Sequence, residues 1–199
     1  MERVTGTQLI LASKSPRRKE LLMNAGLSFS IIPSMFDENS VCASDPETYV
    51  RLLSEGKASD VSSKYSDSWV IGADTIVLIN NKILEKPKSR TDAFNMLKLL
   101  SGNEHKVLTG YCICCKTKNR FFSETISTEV SFKKLDDKEI EWYINTKEPF
   151  GKAGAYAIQG MGIRFVKKIK GSYSSVVGLP VCEVVSFLKK ESFFNNPIS

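Results

Sequence analysis

Leu9-Ile10-Leu11-Ala12-Ser13-Lys14-Ser15-Pro16-Arg17-Arg18 carries the first signature of the fold. The apolar run over residues 8–12 predicts a buried strand. Ser13 to Ser15 read as a turn, and Ser15 is placed to cap a helix that carries Pro16 at its first position. That helix runs to about Asn24, where Gly26 stops it. A strand that feeds straight into a helix opens an α/β pattern, and the rest of the chain continues it.

Residues 28–32 predict a second strand, followed by a polar loop with Asp37 and Glu38. Ser44-Asp45-Pro46-Glu47 has the form of a capping box that opens a helix reaching about Lys64. Two apolar segments, 69–72 and 75–78, are strand-like, and Asn80-Asn81 makes a turn into residues 82–84. Residues 91–100 have helical spacing. Residues 106–115 and 122–132 predict two long strands joined as a hairpin around residues 116–119. A helix over 136–145 turns Leu135, Ile140 and Tyr143 or Ile144 inward. The glycine-rich segment 151–162 reads as irregular, 163–169 as a strand and 179–190 as a closing helix. The long hairpin argues against a purely parallel sheet, so the expectation is an α/β fold with a mixed sheet, in one domain spanning residues 1–199.

Composition narrows the class. With 42% hydrophobic and 25% charged residues the chain is ordinarily globular, and no apolar run approaches the roughly 20 residues that cross a bilayer. The opening residues Met1 to Gly6 lack the pattern of a signal peptide, so a cytoplasmic location is expected and no membrane partner. A net charge of +6 invites an anionic partner, but the cations are scattered, which suits a local phosphate pocket better than nucleic acid. The five cysteines, an odd number with only one histidine, fit neither a disulfide framework nor a zinc site; they read as reduced, mostly buried thiols. His105 reads as a polar residue at a strand entrance.

Three segments can carry chemistry. At Ser13 to Arg18 the free N–H groups of a helix start favour an anion, and Arg17 and Arg18 add paired donors for phosphate; the plain alternative is a capped helix with two exposed arginines. In Gly72-Ala73-Asp74-Thr75 a carboxylate stands between apolar segments. At a strand end it suits holding a divalent cation or orienting a water, or it is a turn aspartate bonded to nearby backbone. Lys86, one short hairpin later, returns to the same edge and can neutralise phosphate charge, unless it is a solvated surface lysine. In the stretch 148–160, small residues allow close approach of a ligand, Lys152 adds charge, Gln159 can pair with a base edge, and Tyr156 is a stacking partner or a core aromatic.

Together, Leu11 to Arg18, Ile71 to Thr75, Leu84-Glu85-Lys86-Pro87, Lys152 to Gly160 and Val176-Val177-Gly178-Leu179-Pro180 resemble the Maf family of nucleoside triphosphate pyrophosphatases over nearly the whole chain. The resemblance implies an elongated mixed sheet flanked by helices, similar to the inosine triphosphatase-like proteins, with two lobes around a nucleotide cleft. The Lys-Ala-Gly-Ala-Tyr-x-Ile-Gln-Gly form resembles the branch that acts on dTTP and UTP, with CTP or modified pyrimidine nucleotides as further candidates. By resemblance Asp74 is the proton acceptor; Arg18, Thr75 and Gln159 select the substrate; and Ser13, Arg17, Glu38, Lys57 and Lys86 line the cleft. Mg2+ or Mn2+ held by Glu38 and Asp74 would bridge the triphosphate, and a homodimer is expected. Gly151 and Ser175 depart from the family pattern, which has Asp and Asn there. The alternative function is a nucleotide-binding regulator of cell division and septum formation.

Overall fold

The computed structural model describes residues 8–43 and 45–194. The elements are β1 (Leu9–Leu11), α1 (Pro16–Asn24), β2 (Ser30–Ile31), α2 (Pro46–Ser62), β3 (Trp69–Ile79), β4 (Lys82–Leu84) and α3 (Arg90–Leu100). They continue with β5 (Glu104–Cys115), β6 (Arg120–Phe132), α4 (Asp137–Asn145), β7 (Val166–Lys170), α5 (Tyr173–Val177) and α6 (Val181–Lys190). The strands form one sheet in the order β2-β1-β3-β5-β6-β7, with β4 paired to β3. β1 runs parallel to β2 and β3, and every other pairing is antiparallel, which is the mixed sheet expected.

The feature that makes a cleft lies on β3. β5 pairs with one edge of this strand along Val70–Leu78. The other edge is shared, with β1 on Trp69–Ile71 and β4 on Val77–Ile79. Between them, residues 72–76 have no strand neighbour among the described residues. Here the chain leaves β1, after a last bond from Ala12 N to Ile71 O at 2.8 Å, and turns away into α1.

Strand alternation gives the two faces different company. Val70, Ile76 and Leu108 pack under α2 with Val50, Ala58 and Val61. Gly72 and Gly110 let that helix come close: a Cβ on Gly72 would collide with the Ser54 carbonyl and lie 2.7 Å from Ala58 N, and one on Gly110 would meet Val50 O and Arg51 N. On the opposite face the apolar side chains fall into two cores. One gathers Leu11, Leu22, Trp69, Ile71, Tyr111, Leu179 and Val184; the other gathers Val77, Ile79, Leu97, Val107, Phe132, Tyr143 and Phe165. A single polar rung, the cross-strand pair Thr75 and Thr109, separates them. These two cores correspond to the two lobes expected.

Several local expectations change. The segments 69–72 and 75–78 are one continuous strand, so Asp74 sits in mid-strand and not at a strand end. The last strand starts at Val166 because Met161–Phe165 coil into a 3-10 turn, and the loop before the closing helix contains the short helix α5. Ser15 occupies the N-cap position of α1, but its side chain makes no cap bond; Ser13 Oγ accepts from Ser15 N at 3.1 Å instead. Asp45 caps α2 by accepting from Thr48 N at 2.7 Å, while Ser44 of the expected capping box and the segment Met1 to Thr7 lie outside the described residues. Cys112, Cys114 and Cys115 are buried free thiols, as expected. His105 stands at the entrance of β5, as expected, and is buried there at 2% exposure, with Nε2 2.9 Å from the Tyr156 hydroxyl. Leu135, Ile140, Tyr143 and Ile144 are all buried.

Candidate active site

All ten residues singled out from the sequence, Ser13, Arg17, Arg18, Glu38, Lys57, Asp74, Thr75, Lys86, Lys152 and Gln159, line one cleft of about 850 Å³. That volume lies within the range of small-molecule sites. Seven lining side chains are cationic and three are carboxylates, so the cleft as a whole favours a polyanion.

The α1 side of the cleft is built from the helix start. Because Ser15 does not cap the helix, its first N–H groups have no side-chain acceptor and remain available to an anion. Arg18 is held from three directions: Nε donates to Gly178 O at 2.7 Å, one terminal nitrogen to Ser13 Oγ at 3.2 Å and the other to Thr75 Oγ1 at 3.3 Å. A guanidinium has five N–H donors, so two remain for a ligand. Burial pulls Arg18 below its usual pKa; nearby Asp74 and Glu38 oppose that pull, and Arg17 adds to it. Arg17 is lowered by burial too, which Tyr143 opposes, yet both guanidinium groups stay charged at neutral pH.

The α2 side carries the acid. Lys57 Nζ lies 2.6 Å from Asp74 Oδ1 and 3.0 Å from Glu38 Oε1. Glu38 comes from a 3-10 turn, Glu38–Ser40, whose N-cap Asp37 accepts from Asn39 N at 3.0 Å. Asp74 and Thr75 are sequence neighbours that point to opposite faces of β3, so the cleft wraps around the open strand edge.

The 148–162 segment closes a third side. Glu148 accepts from the Tyr143 hydroxyl at 2.8 Å, from Met161 N at 3.0 Å and from Gly162 N at 3.1 Å. Burial alone would raise its pKa; these three donors outweigh it and hold the carboxyl below its usual range. Lys152 folds back onto the carbonyls of Glu148, at 3.1 Å, and Phe150, at 3.4 Å. Its pKa is lowered by burial and by Arg17, against the pull of Glu148. Lys86 and Gln159 line the cleft with exposed side chains. Tyr156 is buried between His105 and Phe132, so its ring is part of the core and only borders the cleft.

Sequence reasoning missed Tyr49 and Glu85, which also line the cleft. Burial, then Glu85, Asp74 and Glu38, raise the pKa of Tyr49. Glu85 adjoins Lys86 in a motif already singled out, a signal that was available; Tyr49, in the first turn of α2, carries none.

A divalent cation finds a partial donor set here. Glu38 and Asp74 are hard oxygen ligands, and their Oε2 and Oδ2 atoms make no bond to the described residues, while Lys57 already bridges the other two oxygens. No group of three His, Cys, Asp or Glu residues stands together among the described residues. Two carboxylates completed by phosphate oxygens and waters are the kind of site Mg2+ takes, so the residues fit the ion only in company with a phosphorylated ligand.

These features, a phosphate-gripping helix start facing an ion-paired strand aspartate across an α/β cleft, define a nucleotide-phosphate enzyme site. The chain belongs to the Maf family: the model of Maf-like proteins matches residues 8–191. Among its relatives, the dTTP/UTP pyrophosphatase of Thermoanaerobacter pseudethanolicus is 49% identical over 185 residues, covering 92% of this chain and 96% of the relative. Those of Ruminiclostridium cellulolyticum and Syntrophus aciditrophicus are 48% and 46% identical, again over 92% of this chain and over 95% and 89% of theirs. No helix among the described residues is long and apolar enough to cross a membrane.

Proposed function

We infer that this chain is a nucleoside triphosphate pyrophosphatase that hydrolyses dTTP and UTP to the monophosphate and pyrophosphate. The observation that carries the mechanism is the position of Asp74: one carboxylate oxygen is fixed by Lys57, and the other is free at the open edge of β3, facing a cleft rich in phosphate-binding cations. Asp74 orients a water and takes its proton as the water oxygen attacks the α-phosphorus. The bond from the α-phosphorus to the bridging oxygen breaks, and pyrophosphate leaves with that oxygen. Arg17, Arg18, Lys57 and Lys86 offset the charge that accumulates on the phosphates, and Lys152 extends this field. Thr75 and Gln159, with Arg18, read the substrate. Mg2+ or Mn2+, held by Glu38 and Asp74 with the phosphates, supplies charge neutralisation when bound.

The relatives named dTTP/UTP pyrophosphatase support this substrate class. A homodimer working in the cytoplasm completes the reading. No separate observation favours a cell-division regulator without turnover. The test is a panel of nucleoside triphosphates with Mg2+ or Mn2+, followed by product analysis. Pyrophosphate from dTTP and UTP, well ahead of dATP and GTP, is expected; orthophosphate as the product, or no turnover of any pyrimidine nucleotide, overturns the reading.

A further inference from the structure

We propose that Thr109 is a positioning residue that holds Arg18 in its working orientation through Thr75; this role in catalysis rests on the function proposed above. Thr109 lies on β5, opposite Thr75, and is fully buried. It does not border the cleft, so it cannot touch a ligand. Its hydroxyl donates to the Ser175 carbonyl at 2.8 Å and lies 3.0 Å from the Thr75 hydroxyl.

The direction of this chain of bonds is determined by its two ends. The Ser175 carbonyl can only accept, so the single proton of Thr109 is committed to it. The Thr75 hydroxyl must then donate to Thr109, and it turns a lone pair toward Arg18. A guanidinium can only donate, and its terminal nitrogen sits 3.3 Å from Thr75 Oγ1. The Arg18 terminal nitrogen, the Thr75 and Thr109 hydroxyls and the Ser175 carbonyl thus form one unidirectional relay, each link running from a donor to an acceptor.

The far end closes on the same arginine. Ser175 lies in α5, and Gly178, just after α5, accepts from Arg18 Nε at 2.7 Å. Thr109 therefore pins both supports of the guanidinium, the Thr75 hydroxyl and the helix that carries Gly178. Removing the Thr109 hydroxyl leaves the Thr75 proton without an acceptor, free to rotate toward Arg18 and repel it. The rung is also where the two apolar cores meet.

The test compares Thr109→Val, which keeps the shape and loses the hydroxyl, with Thr109→Ser, which keeps the hydroxyl. Two readouts are taken on the full chain: kcat and KM for dTTP, and solvent exchange of the Arg18 Nε proton in 15N-arginine spectra, assigned with Arg18→Lys. Valine is expected to speed that exchange and to lower kcat/KM by about tenfold or more, since small misplacements of a positioning group are costly; serine is expected to do neither. A valine variant with wild-type exchange, or with altered exchange but wild-type kcat/KM, overturns the proposal. A loss of thermal stability alone, with kinetics intact, marks a purely structural threonine and also overturns it. If the wild type releases no pyrophosphate, the functional reading fails and the positioning role in catalysis falls with it; the exchange rates then decide the relay by themselves.

Discussion

Lys57 on α2 reaches Asp74 on β3 at 2.6 Å, with both side chains largely buried, so the candidate acid is held by an ion pair that exists only because the helix lies against the strand. The same ammonium group reaches Glu38 at 3.0 Å, linking the deep carboxylate to the rim.

Replacing Asp74 by Asn keeps the shape of the side chain and removes its capacity to take a proton. Pyrophosphate release is expected to fall by about 10²–10⁴-fold, the usual contribution of a general base. Steady-state kinetics check this, and a variant that keeps full turnover removes Asp74 from the mechanism.

Chelation should separate catalysis from folding. With two carboxylates converging among the described residues, a cation is held by the protein and the substrate jointly. EDTA is expected to abolish turnover, and Mg2+ or Mn2+ to restore it, while the melting temperature of the protein without nucleotide stays the same. A large drop in melting temperature on chelation would point to a structural ion instead.

Gly110→Ala tests the close approach of α2. The added methyl meets the Val50 carbonyl and Arg51 N, neither of which can rotate aside, so the helix must shift. Overpacking of this kind costs about 1–3 kcal/mol, measurable by urea denaturation. Because α2 carries Lys57, kcat is expected to fall as well; lost stability with intact kcat would show that the ion pair tolerates the shift.

His105 predicts a pH dependence of stability. Burial lowers its pKa to about 4, against about 6.5 in an unfolded chain. Between those values the unfolded chain binds a proton that the folded chain does not, so acidification favours unfolding. Stability should decline as pH falls below about 6.5, with a slope approaching 1.4 kcal/mol per pH unit at about pH 5. It is the only histidine in the sequence. Denaturation midpoints measured in half-unit steps should show the slope in the wild type and lose it in His105→Phe.

The helix-start motif, Asp74 and the 148–160 segment were readable in the chain because each is a local signal: a proline after small residues, a carboxylate among apolar neighbours, a glycine-rich run. Glu38 and Lys57 entered the cleft only through the family resemblance. The continuity of β3 was not. Gly72-Ala73-Asp74 looks like a break until α2 supplies a surface for the glycine and a counter-ion for the aspartate, and Lys57 is 17 residues away from that position. Thr109 gave no signal at all. A lone threonine in an apolar strand fits β propensity without further reason, and only the pairing of β3 with β5 shows what it touches.

The open stretch of β3 also limits how this protein can change. Asp74 and Thr75 serve opposite faces because they are adjacent, and the strand is anchored on both sides of them by β1 and β4. Inserting or deleting one residue between those anchors would exchange acid and hydroxyl, sending the carboxylate toward Arg18 and the threonine toward Lys57. Only changes of two residues preserve the parity. The loops around the cleft can drift in length one residue at a time, whereas the strand beneath it can change only in steps of two.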